Sequence, residues 1–343
     1  MDLQTPAALG YRLPAEWEPH AATWLAWPHK LETWPGKFEP IPAVWQKLVR
    51  TLAEFEPVHI CAGGESVMAQ ARELVGDTPG VTLHDIPTND VWARDHGPMF
   101  LAGRPGLEPA LVNWEYNAWG GKYPPYDLDN AVPEQVAALT GRRVFTPGIV
   151  MEGGALENNG EGTILTTEPC LLNPNRNPTL TKEDVERYLV DYACAKKVLW
   201  IGGGIEGDDT DGHIDELARF VSPTTVVAAL EDDPQDANHE PLAENFRRLQ
   251  TLRDAAGRPL EVVPIPMPKA RYFDDTRLPA CYMNFYIANG VVIVPTFDDP
   301  ADAVALATLG RLFPGRQIRG IEAIDLVWGL GAFHCITQQQ PAE

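Results

Sequence analysis

A unit of hairpin, helix and strand recurs along this chain at a spacing of roughly 70 residues, and no other feature narrows the possible folds so far. The hairpins carry turn signals between apolar runs: Ala155 to Thr167 around Asn-Gly, Ala218 to Ala229 around Ser222-Pro223, and Asn284 to Pro295 around a second Asn-Gly. Helical spacing of apolar residues separates them over Lys182 to Ala195, Pro241 to Ala255 and Asp302 to Phe313. An apolar strand follows each helix: K-V-L-W-I, L-E-V-V-P-I and Q-I-R-G-I. The first part of the chain alternates similarly, with a strand T-W-L-A-W-P ended by Pro28, a helix from Val44 to Glu56 and a strand P-V-H-I-C-A. Units of this kind cannot bury their apolar faces alone, so about five of them closing on one another is the expected α/β architecture. No low-complexity linker interrupts residues 1–343, and a single domain is expected. A doubly wound parallel sheet is the competing arrangement, and the many hairpins count against it.

Polar clusters precede the hairpins, and they differ from one another: N-D-V-W-A-R-D-H-G-P from Asn89, M-E-G-G-A from Met151, G-D-D-T-D-G-H-I-D-E from Gly207 and A-F-H-C from Ala332. Converging repeats would gather Asp95, Glu152, His213, Asp215 and Cys335 around one pocket. On a strand His213 and Asp215 would share a face. Glu152 is suited to orient an imidazole, as the third member of a triad does. Trp92 offers a flat apolar wall. Each of these residues taken singly has an ordinary structural reading, as a core aromatic, a turn carboxylate or a hydrogen-bonded histidine.

The 48 acidic residues outnumber the 27 basic ones, giving a formal net charge of −21. Such a field disfavours nucleic acid and anionic membrane and favours a cationic ligand, although it also serves solubility. No apolar run reaches the roughly 18 residues of a membrane span. The start M-D-L-Q-T-P has no signal-peptide character, so a cytoplasmic location is expected. Five cysteines without C-x-x-C spacing argue against a disulfide framework or structural zinc, and four of them sit in apolar runs. A metal site built from His96, His213, Asp215, His334 and Cys335 lacks H-E-x-x-H or a cysteine pair. G-G-G-I-E-G-D-D has no G-K-[ST], and its acids would repel phosphate.

Acids around a thiol raise its pKa and oppose the thiolate. The arrangement makes sense when the substrate supplies positive charge, and a guanidinium held between Asp95 and Asp215 would present an electrophilic carbon to Cys335.

W-A-R-D-H-G-P, M-E-G-G-A-L-E-N-N-G-E-G-T-I-L-T-T, L-N-P-N-R-N-P, D-D-T-D-G-H-I-D-E-L-A-R-F and H-C-I-T-Q-Q-Q-P, running from Glu16 to Pro341, resemble the agmatine deiminase family, which also contains bacterial peptidylarginine deiminases. The resemblance implies the pentein fold, a five-bladed αβ-propeller of ββαβ units with pseudo-fivefold symmetry. It implies hydrolysis of agmatine to N-carbamoylputrescine and ammonia without metal or organic cofactor. Carried over motif by motif, Cys335 would be the nucleophile, His213 the acid and base, and Glu152 its orienting partner. Asp95 and Asp215 would clamp the guanidinium, Trp92 would face the alkyl chain and Asp209 the distal ammonium. The family's usual G-G-G-N-I-H-C is here G-L-G-A-F-H-C, which makes Leu330, Ala332 and Phe333 candidates for shaping the pocket. Two alternatives remain: a deiminase for arginine, peptidyl-arginine or methylarginine, with Arg94 or Arg271 meeting an α-carboxylate, or a non-catalytic pentein binding module. A homodimer is compatible with the sequence, which leaves the assembly open.

Overall fold

Apolar runs bounded by Gly, Pro and Asn become short strands, and the periodic stretches become helices. The computed structural model describes residues 4–342. Strands β1 (His20–Ala26), β2 (Val58–Cys61) and β3 (Val81–His84) pair in parallel, with helices Ile41–Ala53 and Glu65–Val75 as crossovers. Three-stranded sheets follow: β4 (Met99–Leu101), β5 (Ala110–Val112) and β6 (Arg143–Phe145), then β7 (Glu157–Asn158), β8 (Thr163–Thr167) and β9 (Lys197–Ile201), then β10 (Ala218–Phe220), β11 (Thr225–Leu230) and β12 (Glu261–Pro266). A separate hairpin, β13 (Arg271–Phe273) and β14 (Thr276–Leu278), precedes the sheet of β15 (Tyr286–Ile287), β16 (Val291–Thr296) and β17 (Gln317–Glu322).

Each three-stranded sheet has the same connectivity. Its first two strands are antiparallel and its second and third parallel, the crossover carrying a helix. The second strands T-I-L-T-T, T-V-V-A-A-L and V-V-I-V-P-T are almost wholly buried, as expected for strands covered on both faces. The helices bury one stripe each: Ile41–Ala53 turns Ile41, Trp45, Leu48, Val49 and Leu52 inward. Thr181 and Asp184 form a capping box for Lys182–Tyr192, and Asp299 with Asp302 one for Pro300–Leu312.

The last strand, β18 (Gln338–Pro341), lies antiparallel on β1, with Ala22 opposite Gln340, Trp24 opposite Gln338 and, beyond a register shift, His20 opposite Pro341. The segment carrying Cys335 therefore completes the first sheet rather than extending the last. It does so because Trp24, Leu25 and Ala26 are buried and would otherwise leave an open edge. No helix among the described residues is long and apolar enough to cross a membrane.

Candidate active site

The polar clusters lie in tight turns just before the first strand of each sheet, where a short turn replaces ladder pairing and leaves side chains free to point inward. Asp95 is on the one-turn helix Ala93–His96 before β4, and Glu152 opens the 3-10 turn Gly153–Ala155 before β7. His213 and Asp215 belong to the 3-10 turn at Ile214–Glu216 before β10 rather than to a strand, so a shared strand face is not what brings them together. Their proximity arises from the turn, which sets His213 Nδ1 4.0 Å from Asp215 Oδ1 and 3.8 Å from Asp95 Oδ1. Gly154 permits this approach: a Cβ there would lie 2.6 Å from His213 Nδ1 and 2.7 Å from Asp95 Oδ1. Its own N–H donates to Asp95 Oδ1 at 2.9 Å.

Cys335 is 6% exposed, with Sγ 3.7 Å from Asp215 Oδ2 and 3.1 Å from Asn284 Nδ2. Glu152 is ion-paired with Arg176 Nε at 2.6 Å, and its Oε2 has no hydrogen-bond partner. A carboxylate oxygen of Glu152 and a ring nitrogen of His213 lie within 4.8 Å, without a hydrogen bond between them. Cys170 shares that cluster, but Arg176 contacts both it and Glu152, and a guanidinium in that place opposes a divalent cation.

Burial governs the charges. It pushes the Cys335 thiol well above its ordinary value, with Asp215, Asp95 and Glu216 adding to the effect. It also raises Asp95 well above the carboxylate range, assisted by Asp215 and Glu152. His213 is pulled down to about 3 by burial, against the raising influence of Asp215. Burial also works against ionisation of Asp215, yet the hydrogen bond from His334 Nδ1 at 2.6 Å and the histidine's charge hold it below its ordinary value. Burial thus favours the neutral forms of Cys335, Asp95 and His213, while Asp215 is held as an anion.

Above Cys335 opens a cavity of about 330 Å³ lined by Trp92, Asp95, Trp119, Tyr123, Asp209 and Leu330 among others. Among the described residues Lys30 is the one cationic side chain in its wall, and it is paired with Asp90 at 3.3 Å. Arg94 and Arg271 do not line the cavity. Arg94 bonds Glu16 and Gln339, and Arg271 bonds the carbonyl of Phe297. Asp209 stands at the wall in contact with Lys122 and Tyr123. Of the three residues in the divergent G-L-G-A-F-H-C stretch, Leu330 faces the cavity, whereas Ala332 and Phe333 are buried in the core and outside its lining.

Several participants escaped sequence reasoning. Trp119 donates its indole N–H to Asp95 Oδ2 at 3.0 Å from a loop in which Ala118 and Trp119 both hold left-handed backbone (φ 51° and 55°). Such conformations are costly for non-glycine residues and gather at functional sites. The paired glycines after Trp119 were the available signal. Asn284, before β15, occupies the place in its repeat that the acids occupy in theirs. Behind the site, His334 bridges Asp215 and Glu16 (2.8 Å), while Glu16 also meets Arg94 (3.2 Å) and Arg219 (2.9 Å). No local pattern announces that network.

Residues 12–341 match the model of the Porphyromonas-type peptidyl-arginine deiminase family. The chain belongs to that family. Agmatine deiminase of Pseudomonas aeruginosa is 39% identical over 98% of this chain and 97% of its own length. The solved agmatine deiminase of Enterococcus faecalis superposes with a TM-score of 0.93 at 33% identity, covering 99% of this chain and 98% of that one. A Cys-to-Ser variant of C. jejuni agmatine deiminase, solved with substrate bound, gives 0.88 at 31% identity, with 96% of each chain covered. The family relationship thus extends to a shared mixed α/β fold.

Proposed function

We propose that this protein is an agmatine deiminase, a hydrolase that converts agmatine and water to N-carbamoylputrescine and ammonia. The observation that carries this reading is the cavity wall: acids and tryptophans above a cysteine, with its single lysine already paired to Asp90. Agmatine brings a guanidinium and a distal ammonium but no carboxylate. Free arginine would place its α-carboxylate near Asp209 and Asp90, where the nearby cations Lys122 and Lys30 are already paired with those acids, and peptidyl-arginine would present an amide where Asp209 offers charge.

Between Asp95 and Asp215 the guanidinium favours the ionised form of Asp95 and displaces its proton. The Cys335 proton passes to His213, and the thiolate adds to the guanidinium carbon. His213, now imidazolium beside Asp95 and Asp215, protonates the departing amine, and ammonia leaves a covalent thiouronium. Neutral His213 then takes a proton from water, which adds to the same carbon. Collapse expels the thiolate and leaves the urea of N-carbamoylputrescine. Glu152, fixed by Arg176, orients and stabilises His213 as it charges. Trp92 and Trp119 enclose the alkyl chain, and Asp209 receives the distal ammonium.

The four three-stranded sheets, each led by a polar turn, and the first sheet, completed by the strand after the Cys335 turn, support a five-bladed αβ-propeller of pentein type spanning residues 1–343 as one domain. The chemistry uses side chains alone and suits a cytoplasmic enzyme acting on a small cationic metabolite. Ammonia release measured against agmatine, arginine and an arginyl peptide tests the reading: turnover is expected for agmatine, and preferential turnover of either other substrate would overturn it.

A further inference from the structure

Asn284 is 2% exposed and sits in the turn before β15, the place that gives the site Asp95 before β4, Glu152 before β7 and Asp215 before β10. Four repeats thus place a polar residue at this position, three of them acids and this one a neutral amide. Its backbone is immobilised from both sides, because Arg219 Nη1 donates to the carbonyls of Met283 (3.2 Å) and Phe285 (2.7 Å).

Its side chain spans the nucleophile turn. Asn284 Oδ1 accepts the backbone N–H groups of Ala332 (3.1 Å), His334 (3.0 Å) and Cys335 (3.2 Å). Backbone N–H groups only donate, so the amide oxygen must face them and its NH₂ must face the other way. On that side lie Cys335 Sγ at 3.1 Å and Asp215 Oδ2 at 3.3 Å, one acceptor for each hydrogen. The orientation is fixed by chemistry, and it aims a donor at the sulfur.

We propose that Asn284 is the positioning residue of the nucleophile, holding the Cys335 turn through its oxygen and stabilising the Cys335 thiolate through its N–H. The inference rests on Cys335 as nucleophile. The other side chain within hydrogen-bond reach of the sulfur is an acid, Asp215 at 3.7 Å, and a fourth carboxylate in this repeat would oppose thiolate formation further. The neutral amide supplies the opposite influence and, by its second hydrogen, keeps Asp215 turned to the same side.

Asn284→Asp separates the two roles. An oxygen remains for the three backbone N–H groups, while the donor at Sγ is replaced by a negatively charged acceptor. The readout is the pH dependence of Cys335 carboxamidomethylation by iodoacetamide, located by peptide mass so that the half-buried Cys194 serves as an internal reference. The midpoint for Cys335 is expected to rise by at least ~1 pH unit, which makes alkylation about tenfold slower at a fixed pH below both midpoints. Turnover of agmatine should fall about 10²-fold in kcat with KM little changed. An unaltered alkylation profile in folded Asn284→Asp would overturn the proposal. If that variant does not fold, Asn284→Ala carries the same test with a smaller expected displacement. Failure of both to fold would also overturn it, since Asn284 would then serve the core rather than the thiolate. Alkylation does not require turnover, so absence of agmatine hydrolysis in the parent protein would refute the proposed substrate and leave this test standing.

Discussion

The front and back of the active site are built from the same residue types and behave in opposite ways. At the front, both ring nitrogens of His213, Asp215 Oδ1 and Glu152 Oε2 are buried without hydrogen-bond partners. At the back, Glu16 alone bonds Arg94, Arg219, His334 and the backbone N–H of Ile287. Arg219, fully buried, also meets Glu157 at 2.6 Å. Pairing holds Glu16 well below the carboxylate range despite its burial, while Asp95 at the front lies well above it. Unsatisfied buried polar groups are expensive, and native proteins keep few of them. The unpartnered atoms of His213, Asp215 and Glu152 are where a charged ligand would add contacts, whereas among Glu16, Arg94, Arg219 and His334 only Arg219 Nη2 lacks a hydrogen bond, and it keeps an ion pair with Glu16. The paired side holds its geometry without such a ligand.

The contrast breaks most decisively at the sulfur. Cys335→Ala should lower ammonia release at least ~10⁴-fold with melting close to that of the parent; retained turnover would remove Cys335 from the chemistry. At the front, Asp95→Asn and Asp215→Asn should each cost about 10²–10³-fold in kcat/KM. A value equal to the parent's would take that residue out of substrate contact. At the back, Arg219→Met leaves Glu157 buried without its ion-pair partner and takes one of three from Glu16, so denaturant unfolding should show a loss of about 3–5 kcal/mol. Wild-type stability with lost activity would mean the two halves had been assigned the wrong way round.

The smallest effect concerns protons. Asp95 in the empty site is held above the usual carboxylate range, and a cation between Asp95 and Asp215 favours its ionised form. Agmatine binding to the Cys335→Ala protein should therefore release protons, and affinity should strengthen as pH rises by up to about tenfold per unit below the Asp95 midpoint. Calorimetry in two buffers of different ionisation enthalpy measures this. Proton uptake, or no exchange, would show that Asp95 is already charged before the ligand arrives.

The front was legible in the sequence and the back was not. Turn glycines beside Glu152 and His213, the Asn-Gly hairpins and the apolar helix stripes are local signals, and the structure follows them with small shifts at the ends. The helix read from Pro241 to Ala255 runs His239–Thr251, because Leu252 is already extended and Arg253 bridges to Pro259. The hairpin Arg271–Leu278 went unread, its strands being three residues long and half exposed. Glu16, Arg219 and His334 meet across separations of two to three hundred residues, and no periodicity encodes which buried arginine meets which acid. Asn284 was readable only as the fourth member of a positional series whose other three members are acids.

The pairing of β18 with β1 joins positions more than three hundred residues apart, His20 opposite Pro341. Closing so long a loop carries a large entropic cost and puts high contact order into the strand pair that holds the reactive turn. Catalytic competence is therefore a property of the completed topology. In a chain whose later sheets have folded but whose two ends have not met, Cys335 is an unremarkable thiol with neither clamp nor imidazole, so a misfolded fraction would be inert toward guanidines rather than indiscriminate.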